Sequence, residues 1–312
     1  MSEVAPTILD DARPAGDDAS TRSTALAVYE LTKPRMNFLV LVTTAVGFAA
    51  AAGVATVTQF AALVALAHTL LGTAFSAAGA SVLNQWLEQD VDARMPRTQG
   101  RPLVTGELSP AFALGFGVAL SVAGVVYLLL TTGAVPAMLS ASTIALYVLV
   151  YTPMKRSSAS CTVVGAVPGA LPPVIGVAAA SGGEIGVLGV GLFGILFAWQ
   201  MPHFYGLATM YQADYAAGGL RMLPGEPNGR RRTVRQTIAY CVVLIPVSLL
   251  PIASPHIGWV YAVPAILLGV WYLRSGIAMA SDDSRDAAKR VFLTSIAYLP
   301  ALLAALVIDA WI

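Results

Sequence analysis

The chain has 312 residues, of which 57% are hydrophobic and 11% charged; a soluble domain carries about 25% charged residues. So few charges exclude a water-soluble surface, and a net charge of +1 gives no case for a nucleic-acid partner. The two cysteines, Cys161 and Cys241, lie far apart in apolar runs, which excludes a disulfide framework or a cysteine metal site.

The first 24 residues lack an apolar core and contain Glu3, Asp10, Asp11, Asp17 and Asp18, so neither a signal peptide nor an acid-poor transit peptide fits. Residues 1–28 read as a disordered cytosolic tail ahead of a single membrane domain over 29–312. The apolar runs are long and do not alternate, so they predict membrane helices. Nine follow in order: 36–54, 59–86, 110–131, 135–153, 161–181, 185–211, 235–253, 257–275 and 289–310. The second and sixth exceed the roughly 20 residues that a bilayer requires, so their surplus should project into one aqueous face. With the N-terminus inside, all 18 Lys and Arg lie ahead of the first span, in the even-numbered connections or at the span ends that border them, and the short odd-numbered connections carry none. The positive-inside rule then fixes the orientation: N-terminus cytosolic, C-terminus on the opposite side of the cell (inner) membrane. One helix more or fewer would scatter these charges over both sides. The predicted fold is all-α, nine transmembrane helices bundled around a central cavity open at the cytosolic side.

The second run ends in Asn84-Gln-Trp-Leu-Glu88-Gln-Asp90-Val-Asp92. Residues 84, 88 and 92 recur every fourth position and share one helix stripe. Glu88 and Asp92 repel at that spacing, and acids at a helix C-terminus oppose the macrodipole. Two unfavourable choices in one place call for a cation. One amide and two carboxylates form a hard-oxygen set suited to Mg²⁺, which keeps waters and bridges to phosphates. Asp90 points about 120° away from Asn84 and reads as solvated. Arg94, Arg97 and Arg101 follow at once. Topology explains basic residues here but not their closeness to the acids, so a metal–diphosphate substrate is the reading they support.

The fourth-to-fifth connection adds Tyr151, Lys155 and Arg156 on the same side. The fifth run carries Gly165-Ala-Val-Pro168-Gly169-Ala-Leu-Pro172-Pro173-Val-Ile-Gly176, which predicts kinks and close packing. The sixth run contains Trp199-Gln-Met-Pro202-His203-Phe, and Asp214 follows it. On one continuous helix His203 and Asp214 would be about 20° apart in projection, a shared stripe of ionisable groups at membrane depth. A lone His more often packs than acts, and His68 and His256 are read that way.

These motifs together resemble the intramembrane UbiA-type prenyltransferases, and in finer features the branch that farnesylates haem. The features are Leu31-Thr-Lys-Pro34-Arg35, Asn84-x3-Glu88-x3-Asp92, Arg97-Thr-x-x-Arg101-Pro-Leu, Tyr151-Thr-Pro-Met-Lys155-Arg156, Gly169-Ala-Leu-Pro172-Pro173-x-x-Gly176, Trp199-Gln-x-Pro202-His203-Phe and Asp214-Tyr-x-x-Gly-Gly-Leu-Arg-Met-Leu-Pro224. The resemblance implies farnesyl transfer from farnesyl diphosphate to a vinyl group of haem B, giving haem O for terminal oxidases. Haem B would be a substrate rather than a cofactor, and the product would pass to a downstream haem-modifying enzyme or oxidase. It implies a metal site of Asn84, Glu88 and Asp92 with Mg²⁺, and diphosphate binding by Arg97, Arg101, Lys155 and Arg156. His203 and Asp214 would join the catalytic set, with Tyr151, Trp199 and Arg221 against substrate. Where the wider family has a second Asp-rich motif, this chain has His203 and a single Asp214, which leaves no clear second metal site.

Overall fold

The computed structural model describes residues 23–255 and 257–312; the predicted tail up to residue 22 and His256 lie outside them. Among the described residues, nine helices are long and apolar enough to cross a membrane: Pro34–Gly53, Phe60–Leu87, Pro110–Thr131, Ala134–Met154, Cys161–Ala180, Gly186–Met210, Gly229–Ala253, Trp259–Ser281 and Arg285–Ala310. They are called the first to ninth spans below. The chain is a multi-pass membrane protein.

The last three spans begin or end beyond the predicted limits. The seventh starts at Gly229 and not 235, the eighth runs to Ser281 and not 275, and the ninth starts at Arg285 and not 289. The helices continue past the apolar stretch because arginine favours helix and its long stem lets the charge reach water. The ninth has a proper start: Ser284 Oγ accepts from Ala287 N–H, satisfying one of the free donors of the first turn. At the other end of the chain, Thr24–Leu31 is helical, so the folded unit starts within the stretch expected to be a tail. Ala27 and Leu31 are buried with Val82, Leu103, Leu108 and Ala113.

Small residues set how closely the spans approach. A Cβ on Gly47 would stand 2.0 Å from the Pro173 carbonyl oxygen, and one on Gly176 the same distance from that of Thr44. The first and fifth spans therefore touch backbone to backbone, the packing that membranes favour in the absence of a hydrophobic drive. Contacts between Lys33 and Asn84, Lys155 and Glu88, Arg97 and Tyr211, and Arg230 and Asp283 join all the basic connections at one end of the bundle. We call this end the basic face.

Candidate active site

The second span closes at Leu87, and Gln89–Asp92 forms one further turn. Glu88 sits at the junction with φ −105° and ψ 12°, yet Asp92 N–H still bonds the Glu88 carbonyl at 2.8 Å. The stripe survives the break. Asn84, Glu88 and Asp92 are all buried, at 1%, 5% and 2% exposure. Unpaired carboxylates that deep would be prohibitive, so the structure has to supply cations.

Three cations come from three other segments. Lys33 Nζ donates to Asn84 Oδ1 at 2.8 Å. Lys155 Nζ donates to both Glu88 oxygens, at 2.9 and 3.1 Å. Arg101 Nη1 donates to Asp92 Oδ2 at 2.5 Å. Asn84 Nδ2 completes the network, donating to Glu88 Oε2 at 2.9 Å and to Thr152 Oγ1 at 3.0 Å. Burial pushes the Glu88 carboxyl up, but Lys155, Lys33 and Asn84 outweigh it and hold the group below the ordinary glutamate range. Burial pushes the Lys155 ammonium down; Tyr151 and Glu88 more than offset this and hold it above the ordinary range. Lys33 goes the other way. Burial and the nearby Arg101 and Lys155 charges bring it down to about 7, against the pull of Glu88 and Asp92.

Two local distortions put these groups in place. Lys33 has φ +49°, left-handed for a residue with a Cβ; the following Pro34 disfavours the ordinary helical conformation, and this turn starts the first span. The fourth span widens to a π-turn over Leu146–Tyr151. Pro153 has no N–H to return to the preceding turn, and Thr152 Oγ1 bonds the Tyr147 carbonyl at 2.8 Å instead. Single π-turns of this sort are common at functional sites. Here the turn delivers Thr152 to Asn84 and Lys155 to Glu88. Tyr147 and Tyr151 pack 5.5 Å apart, and Lys155 Nζ stands 4.7 Å over the Tyr151 ring. Below Asn84 on the same face of the second span, a small apolar cavity is lined by Thr73, Ala77 and Ala80 with Val40, Ile144 and Ile175.

The other predicted residues divide. Arg156 does not join the acids; it pairs with exposed Asp90 at 2.5 Å and with the Leu87 carbonyl at 3.0 Å. Arg97 lies over the Tyr211 ring, its guanidinium carbon 5.7 Å from the centroid. The sixth span ends at Met210 and a separate helix covers Gln212–Ala217. His203 and Asp214 therefore lie on different helices, and the shared stripe is lost at Tyr211, where φ is −113° and ψ 28°. His203 faces the ninth span instead. Its Nδ1 meets Ser295 Oγ at 2.7 Å, and its ring lies between Trp199 and Phe292 with centroids 4.9 and 4.8 Å away. Trp199 Nε1 donates to the Ser295 carbonyl at 2.8 Å, so one serine fixes both residues. Arg221 is exposed and paired with Glu226 at 2.8 Å. Its backbone N–H bonds the Lys155 carbonyl at 2.8 Å, tying down the segment that carries Lys155. Gly169 earns its place through Gln200, whose Oε1 would stand 2.1 Å from an added Cβ.

Lys33, Thr152 and Ser295 are site residues that the sequence reading missed. Lys33 and Thr152 did lie inside motifs on which the resemblance rests, while Ser295 carried no signal.

The donor set fits a divalent cation. Two buried carboxylates and an amide are oxygen ligands on one stripe, and Mg²⁺ takes one or two carboxylates with waters and phosphate oxygens. Lys155 and Arg101 match the two acids, and Lys33, brought down to about 7, is placed to take up a proton when a more highly charged anion arrives.

A family model for UbiA prenyltransferases matches residues 40–297. A protoheme IX farnesyltransferase of Solibacter usitatus is 46% identical over 284 residues, 90% of this chain and 97% of that one. One of Opitutus terrae is 40% identical over 90% of this chain and 93% of its own. Among solved structures, one of a digeranylgeranylglyceryl phosphate synthase superposes with a TM-score of 0.78 at 14% identity, covering 93% of this chain and 99% of that one. A UbiA homologue from Archaeoglobus fulgidus bound to DMAPP and Mg²⁺ gives 0.65 at 17% identity, covering 90% and 99%. At such identities these two speak for the fold alone; the family match and the closer relatives carry the assignment. The chain is a prenyltransferase and belongs to the UbiA prenyltransferase family.

Proposed function

We propose that this chain transfers the farnesyl group of farnesyl diphosphate to a vinyl group of haem B, with addition of water, giving haem O and diphosphate. The observation that carries the transfer half is the buried acid–amide stripe with its three cations. The relatives named protoheme IX farnesyltransferase supply the acceptor.

Asn84, Glu88 and Asp92 would hold Mg²⁺, which supplies charge neutralisation to the diphosphate. Lys33, Lys155 and Arg101 are then free to turn toward phosphate oxygens. The carbon–oxygen bond of farnesyl diphosphate breaks with its electron pair leaving on diphosphate, and these cations stabilise that charge where it develops. Tyr147 and Tyr151 offer ring faces to the allylic cation. The apolar cavity under Asn84 is the start of a slot for the prenyl tail, with small side chains, Ala77 and Ala80, along its second-span wall. The vinyl carbon attacks the allylic carbon, water captures the cation beside the macrocycle, and a proton is lost to solvent. Excluding water until then prevents hydrolysis of the donor.

The His203 region suits the acceptor. Trp199 and Phe292 pack on the His203 ring, a serine holds Nδ1 and nothing bonds Nε2 among the described residues, which presents one imidazole nitrogen in a fixed direction. Under this reading the basic face is cytosolic, the enzyme lies in the cell membrane, and haem O passes to a haem-modifying enzyme or oxidase.

The test is mass detection of haem O after supplying membranes that contain this chain with labelled farnesyl diphosphate and either haem B or a phenolic acceptor. Labelled haem O is expected. A prenylated phenol without haem O would overturn the acceptor assignment.

A further inference from the structure

We infer that Arg97 and Arg285 form a binding site for the two carboxylates of the acceptor, across the Tyr211 ring. The inference rests on the acceptor being haem, a macrocycle with an apolar body and two propionate groups on one edge.

The two guanidinium carbons stand 5.7 and 5.9 Å from the same Tyr211 centroid. They arrive from unrelated segments, the connection after the second span and the first residue of the ninth. Neither forms an ion pair with an acid among the described residues, whereas Arg101, Arg156, Arg221, Arg230 and Arg290 all do. Arg97 Nε is buried with no hydrogen-bond partner, an unfavourable state that a ligand with a free acceptor would relieve. Arg285 is also at the wrong end of its helix, because a cation at an N-terminus opposes the macrodipole. Charge sidedness explains basic residues on this face. It does not explain two unpaired arginines meeting on one ring, which lysines elsewhere on the face would satisfy equally well.

The location fits an amphiphilic acceptor. Tyr211 caps the sixth span at the membrane surface, two turns past His203 on the same segment. Carboxylates seated here stay at the water edge, and the apolar macrocycle runs inward toward Trp199, His203 and Phe292. Guanidinium forks match carboxylates with two parallel hydrogen bonds. Arg97 thereby serves the acceptor and not the diphosphate.

The experiment compares haem B with its dimethyl ester, which keeps the ring and removes the two charges. Binding to the purified full chain is followed by the Soret band without farnesyl diphosphate, and KM for both substrates is measured in the full reaction. Wild type should bind haem B about tenfold or more tighter than the ester, the scale of one charge-assisted hydrogen bond. Arg97→Gln and Arg285→Gln should each reduce that preference, and the double variant should abolish it, with KM for farnesyl diphosphate unchanged. Arg97→Lys and Arg285→Lys should restore part of it, which separates lost recognition from lost folding. A preference that persists in the double variant, or a raised KM for farnesyl diphosphate alone, would overturn the assignment. Absence of haem O from wild type would instead defeat the reading on which it rests.

Discussion

The two buried polar regions near the basic face solve the cost of burial in opposite ways. At the end of the second span, acids are buried and matched by Lys33, Lys155 and Arg101. Between the sixth and ninth spans, His203 is satisfied by a serine hydroxyl and two aromatic rings. The first region is an ionic cage of acids and counter-charges, the second a neutral aromatic cluster packed around one imidazole. A cage of that sort suits a substrate that arrives and leaves as a polyanion. A neutral aromatic cluster suits a flat apolar one. Substitutions in the two regions should therefore separate cleanly by which substrate they affect.

The largest effect is expected in the cage. Glu88→Gln and Asp92→Asn should lower haem O formation by at least about 10³-fold, because each removes a ligand and leaves a buried cation without its partner. Immunoblotting alongside haem O mass analysis would check this; normal turnover at normal abundance would break the comparison. Chelation of divalent metal should give a comparable loss, reversed by added Mg²⁺. A reaction indifferent to EDTA would remove the metal from the account.

Intermediate effects sharpen the contrast. Lys155→Met should cost about 10²–10³-fold in kcat, the scale for one preorganised donor on developing charge, with KM for haem unaltered. Gly47→Ala should act on folding alone. Its Cβ would meet the Pro173 carbonyl oxygen at 2.0 Å, and overpacking of that kind costs about 1–3 kcal/mol, read as a lowered Tm in detergent with the substrate dependence of the residual activity unchanged.

The smallest effect is expected at Arg156→Gln. Its exposed pair with Asp90 is worth about 0–1 kcal/mol, so turnover should remain within about threefold of wild type. A loss matching that of Lys155→Met would place Arg156 in the cage after all.

Much of this was legible in the chain. Apolar length and the one-sided placement of Lys and Arg were enough for nine spans, because membranes punish both errors of length and errors of charge. The limits of the seventh to ninth spans were not, since arginines such as Arg230 and Arg285 continue a helix while looking like its end. Asn84, Glu88 and Asp92 were readable because three donors recur on a single element. Their partners were not: Lys33 meets Asn84 across 51 positions, and Ser295 meets His203 across 92. A lysine before a span looks like a topology signal, and a serine in an apolar helix carries no signal. The His203–Asp214 stripe failed for a local reason, a helix break at Tyr211 that no Pro or Gly announces.

The central claim is that one active site has two separable halves. Its most direct test is equilibrium binding of labelled farnesyl diphosphate with Mg²⁺ to purified wild type, Asp92→Asn and His203→Ala, with haem B binding measured in parallel on the same samples. Asp92→Asn should lose diphosphate binding and keep haem binding, and His203→Ala should do the reverse. If each variant weakened both ligands equally, the division into an ionic half and a neutral half would be wrong.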